Sequence, residues 1–96
     1  MATVIVAQTA RRDLEAMILT HSLPDSTRDR VVASLRPLTE FPHLGPALTG
    51  RWAGFRFILG PWRWMIIVYE YNENLDRAVV VTIQDGRSSR AATSAR

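Results

Sequence analysis

Arginine supplies all twelve basic side chains of this chain, and lysine is absent. Its guanidinium is a fixed fork of donors matched to phosphate and carboxylate. Arg56, Arg63, Arg87 and Arg90 fall in or beside segments that read as strands and turns, so they are the candidate phosphate clamps and nucleic-acid contacts. Cutting RNA without a metal takes a base for the 2′-hydroxyl, a cation for the phosphorane and a proton donor for the leaving oxygen. Arginine serves the second need and is a poor base, since its pKa exceeds about 12. A nuclease here would use Arg56, Arg63 and Arg87 as its catalytic cations and would have to recruit Glu70, Asp85, His43 or groups of its target as base. The bland alternative is that each arginine is an exposed residue or an ion-pair partner of Glu70 or Asp85.

The other reactive side chains narrow the field. His21 lies at a helix end and His43 in a turn, neither with a second ligand at metal spacing, so no metal is expected. Phosphate-binding glycine loops and the G-x-S-x-G elbow are missing, so no cofactor is expected and an independent metabolic enzyme is disfavoured. Trp52, Trp62 and Trp64 could stack on bases, but such residues more often fill a small core or lie under a partner helix; Trp62 and Trp64, flanking Arg63 after Gly60-Pro61, read as contacts for a protein partner.

Charge is uneven along the chain. Residues 1–85 hold nine Arg and nine Asp or Glu and are neutral, whereas 86–96 hold Arg87, Arg90 and Arg96 with no acid. Residues 91–96 therefore read as a disordered basic tail behind a domain spanning 1–90. With 96 residues and no cysteine, the chain forms one small domain without disulfides, which gains from area buried against a partner. Neither a signal peptide nor an apolar run long enough to span a membrane is found, so a cytoplasmic protein is expected.

The elements that must position these residues follow from periodicity. Thr3 to Gln8 is β-branched and aliphatic and reads as a buried strand. Thr9 can cap a helix whose apolar face is Leu14, Met17 and Ile18, failing near His21 to Pro24. Ser26 to Asp29 has the form of a capping box before a second helix with Val31, Val32, Leu35 and Leu38 on one face. Pro37 should kink or restart that helix. A turn-rich linker from Phe41 to Pro46 leads to strands near Phe55–Leu59, Trp64–Tyr71 and Arg77–Gln84. The order is β-α-α-β-β-β, an α+β fold with a helical hairpin on one side of a small, mainly antiparallel four-stranded sheet and arginines on the other.

Three segments add a family likeness. Thr9-Ala-Arg-Arg-Asp-Leu14, Leu38-Thr-Glu-Phe-Pro-His-Leu-Gly45 and Asp85-Gly-Arg87, in this order and with the aromatic strand through Val68-Tyr69-Glu70, resemble the RelE/ParE superfamily of type II toxins over about residues 3–90. The likeness implies a toxin that arrests bacterial growth and is neutralised by a cognate antitoxin in a hetero-oligomer. RelE-type members cut mRNA on the ribosome with a basic cluster on the sheet, helped by a C-terminal tyrosine or histidine. Here Arg56 and Arg87 match two of the basic positions, and Arg63 reaches a third only by a shift of the loop. Ile58 and Met65 stand at basic positions, and no Tyr or His follows Arg87. These departures favour the ParE-like expectation, inhibition of DNA gyrase. A ribosome-dependent endoribonuclease and an inactive binding or regulatory relative stay open as alternatives.

Overall fold

A computed structural model describes residues 1–94. Its elements are β1 (Thr3–Val6), α1 (Gln8–Thr20), α2 (Thr27–Leu35), β2 (Arg56–Leu59), β3 (Met65–Asn72) and β4 (Arg77–Asp85). The last three strands form an antiparallel meander, and β1 returns beside β4 in parallel, giving the order β1-β4-β3-β2. A parallel neighbour needs a long crossover, and here it runs through the two helices, which cover one face, and then through β2 and β3. The α+β fold anticipated from the periodicity is thus the fold observed.

Local chemistry accounts for the element ends, with some departures. β1 is shorter than the Thr3–Gln8 run, and it is an edge strand rather than a buried one. Val4 and Val6 pack toward the core while Ile5 is 39% exposed. Gln8 already belongs to α1, because the Ala7 amide still bonds the Val80 carbonyl (2.9 Å) while the Ala7 carbonyl accepts from Arg11 (3.1 Å). Strand and helix therefore share one residue, and Thr9 lies inside the helix instead of capping it. At the other end Ser22 adopts φ 52°, and the Leu23 amide bonds back to Ile18 (2.9 Å). That left-handed stop ends α1 ahead of Pro24. Ser26 stands at the start of α2 in helical geometry without a side-chain cap bond, so the capping box does not form. Pro37 ends the α-helix as expected, and the chain restarts as a 3-10 turn over Arg36–Thr39 that buries Leu38 completely.

Two cores result. Between helices and sheet lie Leu14, Met17, Val31, Leu35, Leu38 and the inward residues Met65, Ile67, Tyr69, Val80 and Ile83. Across the sheet, Ile66 and Val68 pack with Leu48, Ala91 and Ala92, flanked by Trp52, Phe55 and Phe57. The second face, expected to display arginines, is therefore covered by the chain's own apolar side chains. Ala91 and Ala92 of the expected tail lie in this layer, with the Ala92 amide bonded to Gln84 Oε1 (2.8 Å); residues 95 and 96 lie outside the described residues. A bulge at Val68/Tyr69 leaves Val81 without a cross-strand partner. The outer edge of β2 is closed by a bridge between Ala47 and Arg56, whereas β1 has no strand on its outer edge among the described residues.

Candidate functional site

The sheet end where β3 begins and β4 stops, with Met65 opposite Asp85, gathers most of the chemistry-bearing residues. The loop from Gly60 is drawn tight by Gly60 N–H to the Met65 carbonyl (2.9 Å), Met65 N–H to that of Trp62 (3.0 Å) and Gly86 N–H to that of Trp64 (2.6 Å). These bonds leave the Trp62 and Trp64 rings nearly parallel, 5.9 Å apart at 14°. From α2, the Arg30 guanidinium lies 4.8 Å from the Trp62 ring. From the stop of α1, the His21 ring stacks on Trp64 at 5.0 Å and 12°. The Arg87 guanidinium lies 4.8 Å from the same indole. Cations over indole faces are held by the ring quadrupole. The four contacts tie both helices to the loop and to the end of β4.

Asp85 is the hub of this stack. Its carboxylate accepts Arg87 Nε (2.9 Å), Arg87 Nη2 (2.7 Å) and the Arg87 backbone N–H (2.9 Å). It also meets His21 Nε2 at 3.1 Å. The hydrogen bonds from Arg87 hold the Asp85 carboxyl far below the usual carboxylate range, against the opposing effect of desolvation, and the His21 bond adds to them. In return Asp85 raises the Arg87 guanidinium further above its ordinary value. The His21 Nδ1 lies 2.9 Å from Thr20 Oγ1. Both ring nitrogens of His21 thus lie within hydrogen-bond distance of a partner. The stack therefore presents cations and aromatic faces but no uncommitted base.

The candidates read from the sequence fall in different places. Trp62, Trp64 and Arg87 belong to the stack, and Arg63 stands exposed in the same loop. Arg90 joins Asp13, Thr20, His21 and Asp85 around a neighbouring cavity of about 320 Å³. Arg56 is apart from all of these. Its register partner is Tyr69, four residues along β3 from Met65, or about 13 Å at strand rise. Arg56 Nη1 donates to the Gly45 carbonyl (2.8 Å), while the Tyr69 hydroxyl donates to Pro42 (2.7 Å) and accepts from Gly45 N–H (3.1 Å). Burial pushes the Tyr69 phenol up, partly offset by the Gly45 bond and the Arg56 charge. Arg56 and Tyr69 thus pin the Phe41–Pro46 linker to the sheet. Sequence reasoning missed His21 and Arg30 as members of the stack. Their only signal was position, at a helix stop and one turn into the next helix.

A second feature is an apolar cleft of about 330 Å³ between the helices, lined by Val6, Leu14, Val31, Val32, Leu35 and Val80. A smaller hollow of about 220 Å³ continues it along β1 past Val4 and Val32. Glu15 and Arg28 bridge the helices at its rim through two 2.6 Å bonds. Val32 is 55% exposed there, and the edge of β1 runs alongside. Among the described residues no three His, Cys, Asp or Glu come together as a metal site, and no helix is long and apolar enough to cross a membrane.

No family model and no curated protein matches this sequence. Solved structures do. The chain is similar to the toxin–antitoxin complex RelBE2 of Mycobacterium tuberculosis at TM-score 0.67 and 24% identity, covering 88% of this chain and 96% of that one. It is similar to a structure of the chromosomal ParDE system of P. aeruginosa at 0.65 and 13%, covering 88% and 96%. It is similar to YafQ of E. coli at 0.63 and 11%, covering 95% and 100%. At these identities the likeness speaks to architecture, and along nearly the whole of each chain it agrees with the strand order and helical hairpin above. The fold of this chain is that of the RelE/ParE-like toxins.

Proposed function

We propose that this chain is the toxin of a type II toxin–antitoxin pair, held inactive by a cognate antitoxin, and that it arrests growth by binding DNA gyrase rather than by cutting RNA. The observation that carries the choice of mechanism is the engagement of the stack's polar groups. Arg87 is held by Asp85, both His21 ring nitrogens are bonded, and Arg56 binds backbone carbonyls about four residues' rise away. A ribonuclease needs a free base beside its phosphate clamp. A surface of cations and indoles with no base suits binding better than cleavage.

The antitoxin contact is supported by the apolar cleft and the open edge of β1. An amphipathic helix laid into the cleft and a strand added at the edge would bury Val32 and Ile5, exposed apolar residues of this region. Two of the similar structures are themselves a toxin–antitoxin complex and a toxin–antitoxin system.

The test is induction of the chain in a bacterium, with and without the adjacent gene, followed by measurement of growth, DNA breaks and mRNA ends. Growth arrest relieved by the adjacent gene, with gyrase-dependent breaks and intact mRNA, is the expected result. One observation favours the endoribonuclease as a second reading: His21 sits beside Arg87, in a position to act if Asp85 released it. In-frame mRNA cuts that vanish in both His21→Ala and Arg87→Ala would select that reading.

A further inference from the structure

The second face of the sheet carries a cleft that the stack does not use. It has a volume of about 740 Å³ and lies between the 3-10 turn Gly50–Trp52 and the segment after β4. Its walls are Thr49, Arg51 and Trp52 on one side and Ser89, Arg90 and Ser94 on the other, with the buried Ala91 and Ala92 below. We propose that this cleft binds a nucleoside phosphate, its phosphate on Arg51 and Arg90 and its base against Trp52.

The charge of the cleft favours an anion. Among the described residues no carboxylate lines the cleft. Both walls come from acid-free stretches: residues 41–69 hold Arg51, Arg56 and Arg63, and residues 86–94 hold Arg87 and Arg90, with no Asp or Glu in either. Arg56 and Arg87 have acceptors, as described above. The Arg51 and Arg90 guanidiniums have neither an ion pair nor a hydrogen-bond acceptor among the described residues. Arg51 and Arg90 both line the cleft, Arg90 also bordering the cavity that holds Asp13 and Asp85, and a phosphate would match the donor geometry of the two guanidiniums. The hydroxyls of Thr49, Ser89 and Ser94 add donors at the same place.

The shape of the cleft suits a base. Trp52 is half-buried, and Phe55 holds its ring edge-on at 5.6 Å and 76°. An indole fixed beside a cationic cleft is a stacking platform for a base. Gly50 turns the chain at φ 64° so that Arg51 and Trp52 follow one another at the rim. The volume falls within the roughly 300–1,000 Å³ of small-molecule sites. Nothing here depends on the toxin reading, and the inference stands or falls by binding alone.

The test is titration of the purified full-length chain by calorimetry and tryptophan fluorescence. The probes are inorganic phosphate, a nucleoside 5′-monophosphate, the uncharged nucleoside and a short single-stranded oligonucleotide. The expected result is saturable binding of the monophosphate, tighter than phosphate or nucleoside alone and weakened by salt. Arg51→Gln and Arg90→Gln should each weaken it by about tenfold or more, with unchanged circular dichroism. An oligonucleotide that binds more tightly with the same arginine dependence supports the proposal and makes a strand the source of the nucleotide. A monophosphate that binds more tightly supports it with the free molecule as source. Binding indifferent to both substitutions, phosphate as tight as nucleotide, or no saturation into the millimolar range would each overturn it.

Discussion

Replacing Gly45 with alanine probes the joint that anchors the linker to the sheet. A Cβ at Gly45 would lie 2.0 Å from the Phe57 carbonyl oxygen and 2.8 Å from its carbon, with the Tyr69 ring at 3.1 Å. An ordinary non-bonded carbon contact needs roughly 3.5 Å, and the obstruction is backbone, which cannot swing aside. The linker must therefore lift from β2. That movement stretches the bonds from Gly45 N–H to Tyr69 (3.1 Å) and from Arg56 to the Gly45 carbonyl (2.8 Å). Overpacking costs about 1–3 kcal/mol and each of the two weakened bonds about 1 kcal/mol, so a total of about 3–5 kcal/mol is expected. For a domain of this size that lowers Tm by roughly 12–40 °C. Urea and thermal unfolding of Gly45→Ala beside Gly50→Ala measure it. Gly50 has φ 64° but, among the described residues, nothing within 4 Å of an added Cβ, so its substitution should cost only about 1 kcal/mol. If Gly45→Ala is as mild as Gly50→Ala, the close approach does not constrain the fold and the account of Arg56 as an anchor fails.

Three further substitutions test other joints. Tyr69→Phe removes a hydroxyl that bonds both Pro42 and Gly45 beside a ring with no exposure, and denaturation should show a loss of about 1–3 kcal/mol. Thr27→Val should stabilise by about 1 kcal/mol in the same assay, because the fully buried Thr27 hydroxyl has no partner among the described residues; a destabilised variant contradicts this. Asp85 governs the acid response. Its folded pKa lies below the unfolded value of about 3.9. The unfolded chain thus binds the proton more readily, and the stability Asp85 confers is present above about pH 4 and is lost as pH falls below it. Unfolding from pH 7 to 3 should show a smaller acid loss in Asp85→Asn than in the wild type, and equal slopes would count against the Asp85–Arg87 bond.

Much of the architecture was legible because it is written in short-range patterns. The change from helical to alternating apolar spacing after Phe41 located the hairpin and the meander, and Pro37 marked the restart at Arg36. What escaped depends on distant parts of the chain. Thr9 and Ser26 carried capping chemistry, but the strand bond at Ala7 and the helical geometry of Ser26 set the helix starts instead. Arg56 looked like its neighbours in the sequence, and only the return of Gly45 beneath it makes it an anchor. The pairing of His21 with Asp85 spans 64 residues, and no local spacing announces it. The second apolar layer was hidden for the same reason, since Leu48, Ala91 and Ala92 become a surface only when two loops meet over β3.

The most direct test of the proposed mechanism adds the purified chain to DNA gyrase and supercoiled plasmid, with a programmed ribosome and its mRNA run in parallel. Accumulated cleaved DNA with full-length mRNA is the result expected of a stack without a free base. Intact plasmid and cut mRNA would contradict it and would make His21, for all its bonds, a working base.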